Sequence, residues 1–268
     1  MTWPGAVLSC EEMCTLAERS RTTRQPLFAG TEPLSTIPEL QNSPNTELKR
    51  YYDLLFAAHG AQYWWPGRTR FEVIVGAILT QNTAWTNVET AIRKLRKARL
   101  LNPRAIESVP LPRLARLIRA SGYFRQKARK LKAFAHFLRN AHGGSLKRML
   151  RTPTAQLRAE LLGIWGIGPE TADSILLYAG GHPVFVIDAY TRRIVERHGL
   201  AGRQGTYEEL RGIFEAQLPQ DPSLYNEFHA LIVYTGKTYC RARNPRCEEC
   251  PLKTMLPKNT LAENRFSA

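Results

Sequence analysis

Between Leu161 and Ala179 two apolar helical stretches meet at Gly166-Ile167-Gly168 and a proline, a combination that few arrangements of the chain can satisfy. Leu161, Leu162 and Ile164 close one apolar face, and Pro169 stands at a first helical position, where its missing N–H costs nothing. Ala172, Ile175, Leu176 and Ala179 then recur at helical spacing. The spacing predicts a helical hairpin over 161–179. Its glycines permit positive φ and a close backbone approach, and the N–H groups opening the second helix carry the positive end of its macrodipole. Gly166, Gly168, Glu170 and Thr171 would then cradle a phosphate, a contact that holds nucleic acid without reading its sequence. A Gly-x-Gly joint that only packs two helices has the same local pattern.

Charge supports a polyanionic partner. The 268 residues carry 38 Lys and Arg against 23 Asp and Glu, a formal net charge of +15. Such a surplus attracts nucleic acid first and an anionic membrane surface second. No apolar run approaches the roughly 20 residues that span a bilayer, and Met1 to Glu12 lacks the basic-then-apolar order of a signal peptide. The expectation is a cytoplasmic monomer without a membrane partner.

A hydrophobic content of 43% supplies a real core, for one compact domain or two interleaved small ones. Residues 1–46 mix Pro, Ser, Thr and Glu with little apolar periodicity, which predicts a flexible extension. From Thr46 onward the pattern is helical. Leu48, Tyr51, Tyr52, Leu55 and Phe56 mark one apolar stripe, and Phe71 to Thr80 is apolar on every side, as in a buried central helix or a buried strand. Amphipathic helices are predicted at Trp85–Ala98, Pro103–Ser108, Pro112–Ala120, Gln126–Ala141 and Thr154–Leu162. The fold class is all-α.

Past the hairpin, Gly180-Gly181-His182-Pro183 breaks the chain and Val184-Phe185-Val186-Ile187 re-enters the core. Asp188 follows, opening a helix predicted over Ala189–Arg197. By itself this aspartate reads as a helix cap at the edge of the core.

Gly166-Ile167-Gly168-Pro169-Glu170-Thr171-Ala172 followed by Val186-Ile187-Asp188 resembles the endonuclease III (HhH-GPD) superfamily of base-excision-repair DNA glycosylases, over roughly residues 47–257. The resemblance implies a helix-hairpin-helix glycosylase fold. A six-helix barrel would occupy 67–180, a helical domain 47–66 with 181–239, a Cys loop 240–257 and a tail 258–268. It also implies that Asp188 is the catalytic carboxylate, stabilising positive charge on the deoxyribose as the N-glycosidic bond of a damaged base in duplex DNA breaks. Members that also cut the backbone carry a nucleophilic lysine where this chain has Glu170, and a glutamate forms no Schiff base. The expected activity is therefore monofunctional, with an endonuclease III-type lyase or a noncatalytic hairpin module as alternatives.

A glycosylase extrudes its target nucleotide and fills the gap. By resemblance Gln81, beside Asn82, matches the glutamine that relatives insert, and Tyr123 a second wedge position where an aliphatic residue is usual. Tyr63-Trp64-Trp65-Pro66 and Gln81-Asn82-Thr83-Ala84-Trp85 resemble the 3-methyladenine DNA glycosylase III-like branch, whose aromatic pocket stacks alkylated purines. The same tryptophans could equally anchor a core. The basic run Arg125 to Lys132 reads as a solvated face with some phosphate contacts.

Cys240-x6-Cys247-x2-Cys250 suits iron–sulfur or zinc ligation. It matches three of the four cysteines by which endonuclease III relatives hold a [4Fe–4S] cluster. Leu256 occupies the fourth position. Cys10 and Cys14 lie far away, in the extension.

Overall fold

The computed structural model describes residues 46–62, 64, 67–202 and 204–257. The predicted extension with Cys10 and Cys14, the tail, and Trp65 of the proposed pocket lie outside the described residues. Among the described residues every regular element is helical, and no helix is long and apolar enough to cross a membrane.

Helix α1 (Glu47–His59) begins where the Thr46 side chain accepts the Lys49 N–H, and it buries Leu48, Tyr51, Tyr52 and Leu55, the stripe read from sequence. Helix α2 (Arg70–Thr80), capped by Thr69, is buried from Phe71 to Leu79, so the apolar run is a helix and not a strand. Even Glu72 is inside, paired with Arg96 at 2.6 Å. Then come α3 (Trp85–Lys97), α4 (Pro103–Ser108), α5 (Leu111–Leu117), α6 (Phe124–His142), α7 (Leu146–Met149) and α8 (Thr154–Leu162). The single helix expected over 112–120 is broken: α5 stops at Leu117 and a 3-10 turn takes Arg119–Ser121. Helix α2 lies against α3, α6 and the second hairpin helix.

Lys127 corrects the reading of the basic run. Its side chain is buried, and Nζ donates to the Leu79 carbonyl at 2.9 Å and to the Ser121 carbonyl at 2.5 Å. It thus satisfies an orphan carbonyl of the last turn of α2.

In the hairpin, α8 gives way to α9 (Pro169–Ser174), which continues as a π-helical segment, Ile175–Gly180, where a plain α-helix was expected. Gly166 has φ +83°, and a Cβ there would sit 2.6 Å from a side-chain carbon of Lys130. Gly168 does not share this: its φ is −97°, open to any residue, and nothing lies within 4 Å of where its Cβ would be. Positive φ is therefore a property of Gly166 alone among these two. Arg158 of α8 grips the buried Asp173 of α9 through Nε (2.7 Å) and Nη2 (3.1 Å), which fixes the angle between the two helices.

Residues Val184 to Ile187 run buried and without regular structure, with Phe185 stacked 4.0 Å from Phe214. The chain then enters α10 (Ala189–Arg197). Helices α11 (Tyr207–Gln217) and α12 (Pro222–Thr238) complete the fold, with α12 packed on α1, α10 and the π segment. Sequence patterning marked this stretch as helical without separating the two.

Candidate active site

A cavity of about 300 Å³ opens where the C-terminal end of α2, helix α9 with its π extension, the start of α10 and the end of α12 converge. Trp64, Trp85, Tyr178 and Tyr190 supply aromatic wall, and Glu170, Asp188, His229 and Lys237 supply its ionisable groups. The two indoles lie 6.4 Å apart at 46°. Tyr190 reaches its place because residue 236 is glycine: a Cβ there would stand 2.6 Å from its ring.

Asp188 caps α10, its Oδ1 accepting the Thr191 N–H at 2.7 Å and the Thr191 hydroxyl at 2.9 Å. One carboxylate oxygen thus anchors the side chain, and Oδ2 is left 3.8 Å from His229 Nε2. The cap reading from sequence and the cavity location hold together in the same residue. Glu170 keeps part of its side chain in solvent, but crowding at the cavity mouth, and secondly the Asp188 charge, push its pKa up to about 7. Lys237 places Nζ 5.7 Å from the Trp64 ring centroid and 5.9 Å from that of Tyr190. Desolvation lowers its pKa, opposed by Asp188.

Of the residues singled out by sequence, Trp64, Gln81, Glu170, Thr171 and Asp188 share this cavity. Gln81 is tied into the hairpin, its Nε2 donating to the Gly166 carbonyl (3.2 Å) and the Thr171 hydroxyl (2.8 Å) while Lys130 Nζ donates to its Oε1 (2.5 Å). Asn82, Tyr123, Gly166 and Gly168 are outside the cavity wall. Tyr123 is 68% exposed and left-handed at φ 42°, in front of α6. Trp165, in the hairpin turn, is 58% exposed. Tyr178, Tyr190, His229 and Lys237 were not singled out. Lys237 and His229 lie on α12, 49 and 41 residues past Asp188, and only packing brings them together.

Cys240, Cys247 and Cys250 are free thiols around a separate small cavity that Arg197, His198 and Leu256 also line. Arg197 Nη1 donates to Cys240 Sγ at 3.2 Å. Burial raises the Cys247 thiol and pushes Cys250 up to about 11, so this crowded set ionises readily only with a compensating cation. Among the described residues no three His, Cys, Asp or Glu side chains converge as a single ion requires. Thiolates are soft ligands that suit iron–sulfur or zinc. Leu256 at the fourth corner offers no donor atom.

Residues 75–220 match the family model described as the HhH-GPD superfamily base excision DNA repair protein, and residues 240–255 match that of the iron-sulfur binding domain of endonuclease III. A Methanocaldococcus jannaschii protein named as a DNA repair glycosylase is 46% identical, over 76% of this chain and 93% of its own length. Endonuclease III of Thermotoga maritima is 31% identical, over 68% and 80% of the two chains. Among solved structures, an endonuclease III–DNA complex superposes with TM-score 0.70 at 22% identity, covering 81% of this chain and 97% of its own. The Helicobacter pylori 3-methyladenine DNA glycosylase bound to 1,N6-ethenoadenine superposes with TM-score 0.57 at 27% identity, covering 76% and 93%.

Proposed function

We propose that this chain, which belongs to the HhH-GPD superfamily of base excision DNA repair proteins, is a monofunctional glycosylase that releases damaged bases from duplex DNA by hydrolysis. The observation that carries the reading is the convergence of Asp188 and Glu170 on one aromatic-walled cavity beside the hairpin. Asp188 stabilises the positive charge that develops on the deoxyribose, from a half-buried place on the cavity wall where a fixed carboxylate acts without reorganising. The hairpin holds phosphate through Gly166, Gly168 and the N–H groups that open α9, with Glu170 and Thr171 in its first turn. Tyr123, exposed in front of α6, enters the duplex where the nucleotide leaves, joined by Gln81 and Asn82.

An alkylated purine suits the indole and phenol faces of Trp64, Trp85 and Tyr190, since an electron-poor ring gains from stacking on them. The likeness to a 3-methyladenine glycosylase supports the same choice. The domain division into 67–180 and 47–66 with 181–239 is supported by α1 packing on α11 and α12. Cys240, Cys247 and Cys250 would hold three corners of a [4Fe–4S] cluster, which would brace the C-terminal loop against α10.

The decisive experiment incubates the protein with duplexes carrying alkylated, oxidised, deaminated or mismatched bases, beside Asp188→Asn. Base release by the wild type, with DNA binding but no release by the variant, is expected. Full activity of Asp188→Asn would refute the assignment. A second reading, lyase chemistry through another amine, is favoured by the place of Lys237 on the cavity wall. Borohydride trapping of wild-type protein on abasic DNA, lost in Lys237→Ala, would establish it in place of simple hydrolysis.

A further inference from the structure

His229 is 4% exposed, and its two ring nitrogens have opposite circumstances. Nδ1 lies 2.6 Å from the Tyr178 hydroxyl. Nε2 is buried without a hydrogen-bond partner among the described residues, and it faces Asp188 Oδ2 at 3.8 Å. A buried polar atom left unpaired is costly, and one aimed at a carboxylate oxygen calls for an explanation.

The network decides where the ring proton sits. Burial, with Asp188 and Glu170 adding to it, raises the Tyr178 pKa well above the ordinary phenol value, so the hydroxyl keeps its proton. A proton on Nε2 faces the Asp188 carboxylate and leaves Nδ1 to accept the Tyr178 hydroxyl proton. The reverse tautomer would set a nitrogen lone pair against the carboxylate. Burial, opposed by Asp188 and assisted by Lys237, lowers the His229 pKa, so the ring is neutral near pH 7.

We propose that His229, oriented by Tyr178, is the positioning residue of Asp188: its Nε2–H donates to Oδ2 when a nucleotide fills the cavity. Closing from 3.8 Å to hydrogen-bond length takes a shift of about 1 Å. Thr191 already fixes Oδ1, so with His229 on Oδ2 the carboxylate is held at both oxygens and aimed at the sugar. This rests on the reading of Asp188 as the catalytic carboxylate. Besides His229, the ionisable groups around Asp188 are Glu170 from α9, Tyr178 from the π segment, Tyr190 from α10 and Lys237 from α12.

The test compares His229→Leu, His229→Gln and Tyr178→Phe with the wild type in single-turnover base release, across pH 5 to 9, on a duplex that the wild type cleaves. Binding to a duplex with a tetrahydrofuran abasic analogue serves as the folding control. His229→Leu should lose about 10- to 100-fold in rate with binding little changed, and its acid limb should move to higher pH because the carboxylate loses a donor to its charged form. His229→Gln, which keeps an N–H near Nε2, should recover most of the rate, and Tyr178→Phe should fall between. Nitrogen-15 spectra of wild-type histidines give a readout without turnover: a neutral Nε2–H ring at His229 from pH 5.5 to 8 is expected.

An Nδ1–H ring, an unaltered pH profile in His229→Leu, or a His229→Gln as slow as His229→Leu would each overturn the proposal. Should His229→Leu fail to fold, Tyr178→Phe and the spectra still decide it. A wild type that releases no base from any duplex refutes the catalytic reading beneath, whereas the tautomer still tests the proposed donor.

Discussion

The Gln81 amide donates to the Thr171 hydroxyl at 2.8 Å, so the end of the central helix is fastened to the first turn of the second hairpin helix. Gly166 and Lys130 complete the fastening. Replacing Gln81 with Ala strands a carbonyl and a hydroxyl near the cavity, which should cost about 1–3 kcal/mol in urea unfolding. Affinity for undamaged duplex, read by fluorescence anisotropy, should fall with it because the phosphate cradle loosens. Unchanged binding would mean that the hairpin keeps its shape unaided.

Tyr123 holds a left-handed backbone while leaving its ring in solvent. A non-glycine residue there carries strain of order 1 kcal/mol, so Tyr123→Gly should unfold at equal or higher temperature. Base release from duplex should nevertheless drop, and release from single strands should drop less, as expected of a side chain that works by invading a stack. Equal losses on both substrates would argue against a wedge.

Glu170 opens α9 at the mouth of the cavity, 18 residues before Asp188. Glu170→Lys places an amine there. That variant should form a borohydride-trappable adduct with abasic DNA, seen as a shifted band in denaturing gels, and cut the strand beside it. An E170K protein that binds abasic DNA yet never traps would show that position 170 does not reach the sugar.

Lys127 titrates at about 8 instead of the ordinary 10.5, burial being the main cause and Lys130 the second. Between these values the unfolded chain binds the proton and the folded chain has released it, so this residue's contribution to stability grows as pH rises from 8 to 10.5 and is lost as pH falls through 8. Thermal melts should show that gain in the wild type relative to Lys127→Met. The variant should also be less stable at pH 9, where the Leu79 and Ser121 carbonyls lose their donor.

Leu256 stands beside three thiols. Anaerobic purification should yield brown protein absorbing near 400 nm, and Leu256→Cys should retain more iron per chain after exposure to air or chelator. Cys247→Ala should lose iron and lower the melting temperature. Colourless, iron-free anaerobic protein would dismiss the cluster.

The stripe of α1 and the glycine–proline punctuation of the hairpin were legible because each is a local pattern with one economical solution, whereas the apolar run of α2 announced burial but left helix and strand open. Asp188 showed as a cap for the same reason. Lys127 was hidden inside a run of cations, although it stands four residues before Leu131 and seven before Phe134, on the buried stripe of α6. His229, Lys237, Tyr178 and Tyr190 meet only through the packing of α12 on α10 and the π segment, which no periodicity along the chain encodes. Gly168 was read by analogy with Gly166, and only the backbone angles separate them.

The π turn at Ile175–Gly180 sets the phase of everything after the hairpin. Such a turn takes one residue more than an α-helical turn, usually as a single insertion. Removing one residue between Ile175 and Tyr178 would restore ordinary winding and turn Tyr178 about 50° round the axis, away from His229. The end of the element that meets DNA would keep its shape. Grip and chemistry are thereby mounted on one rod with an adjustable twist between them, so a one-residue length change can uncouple the two.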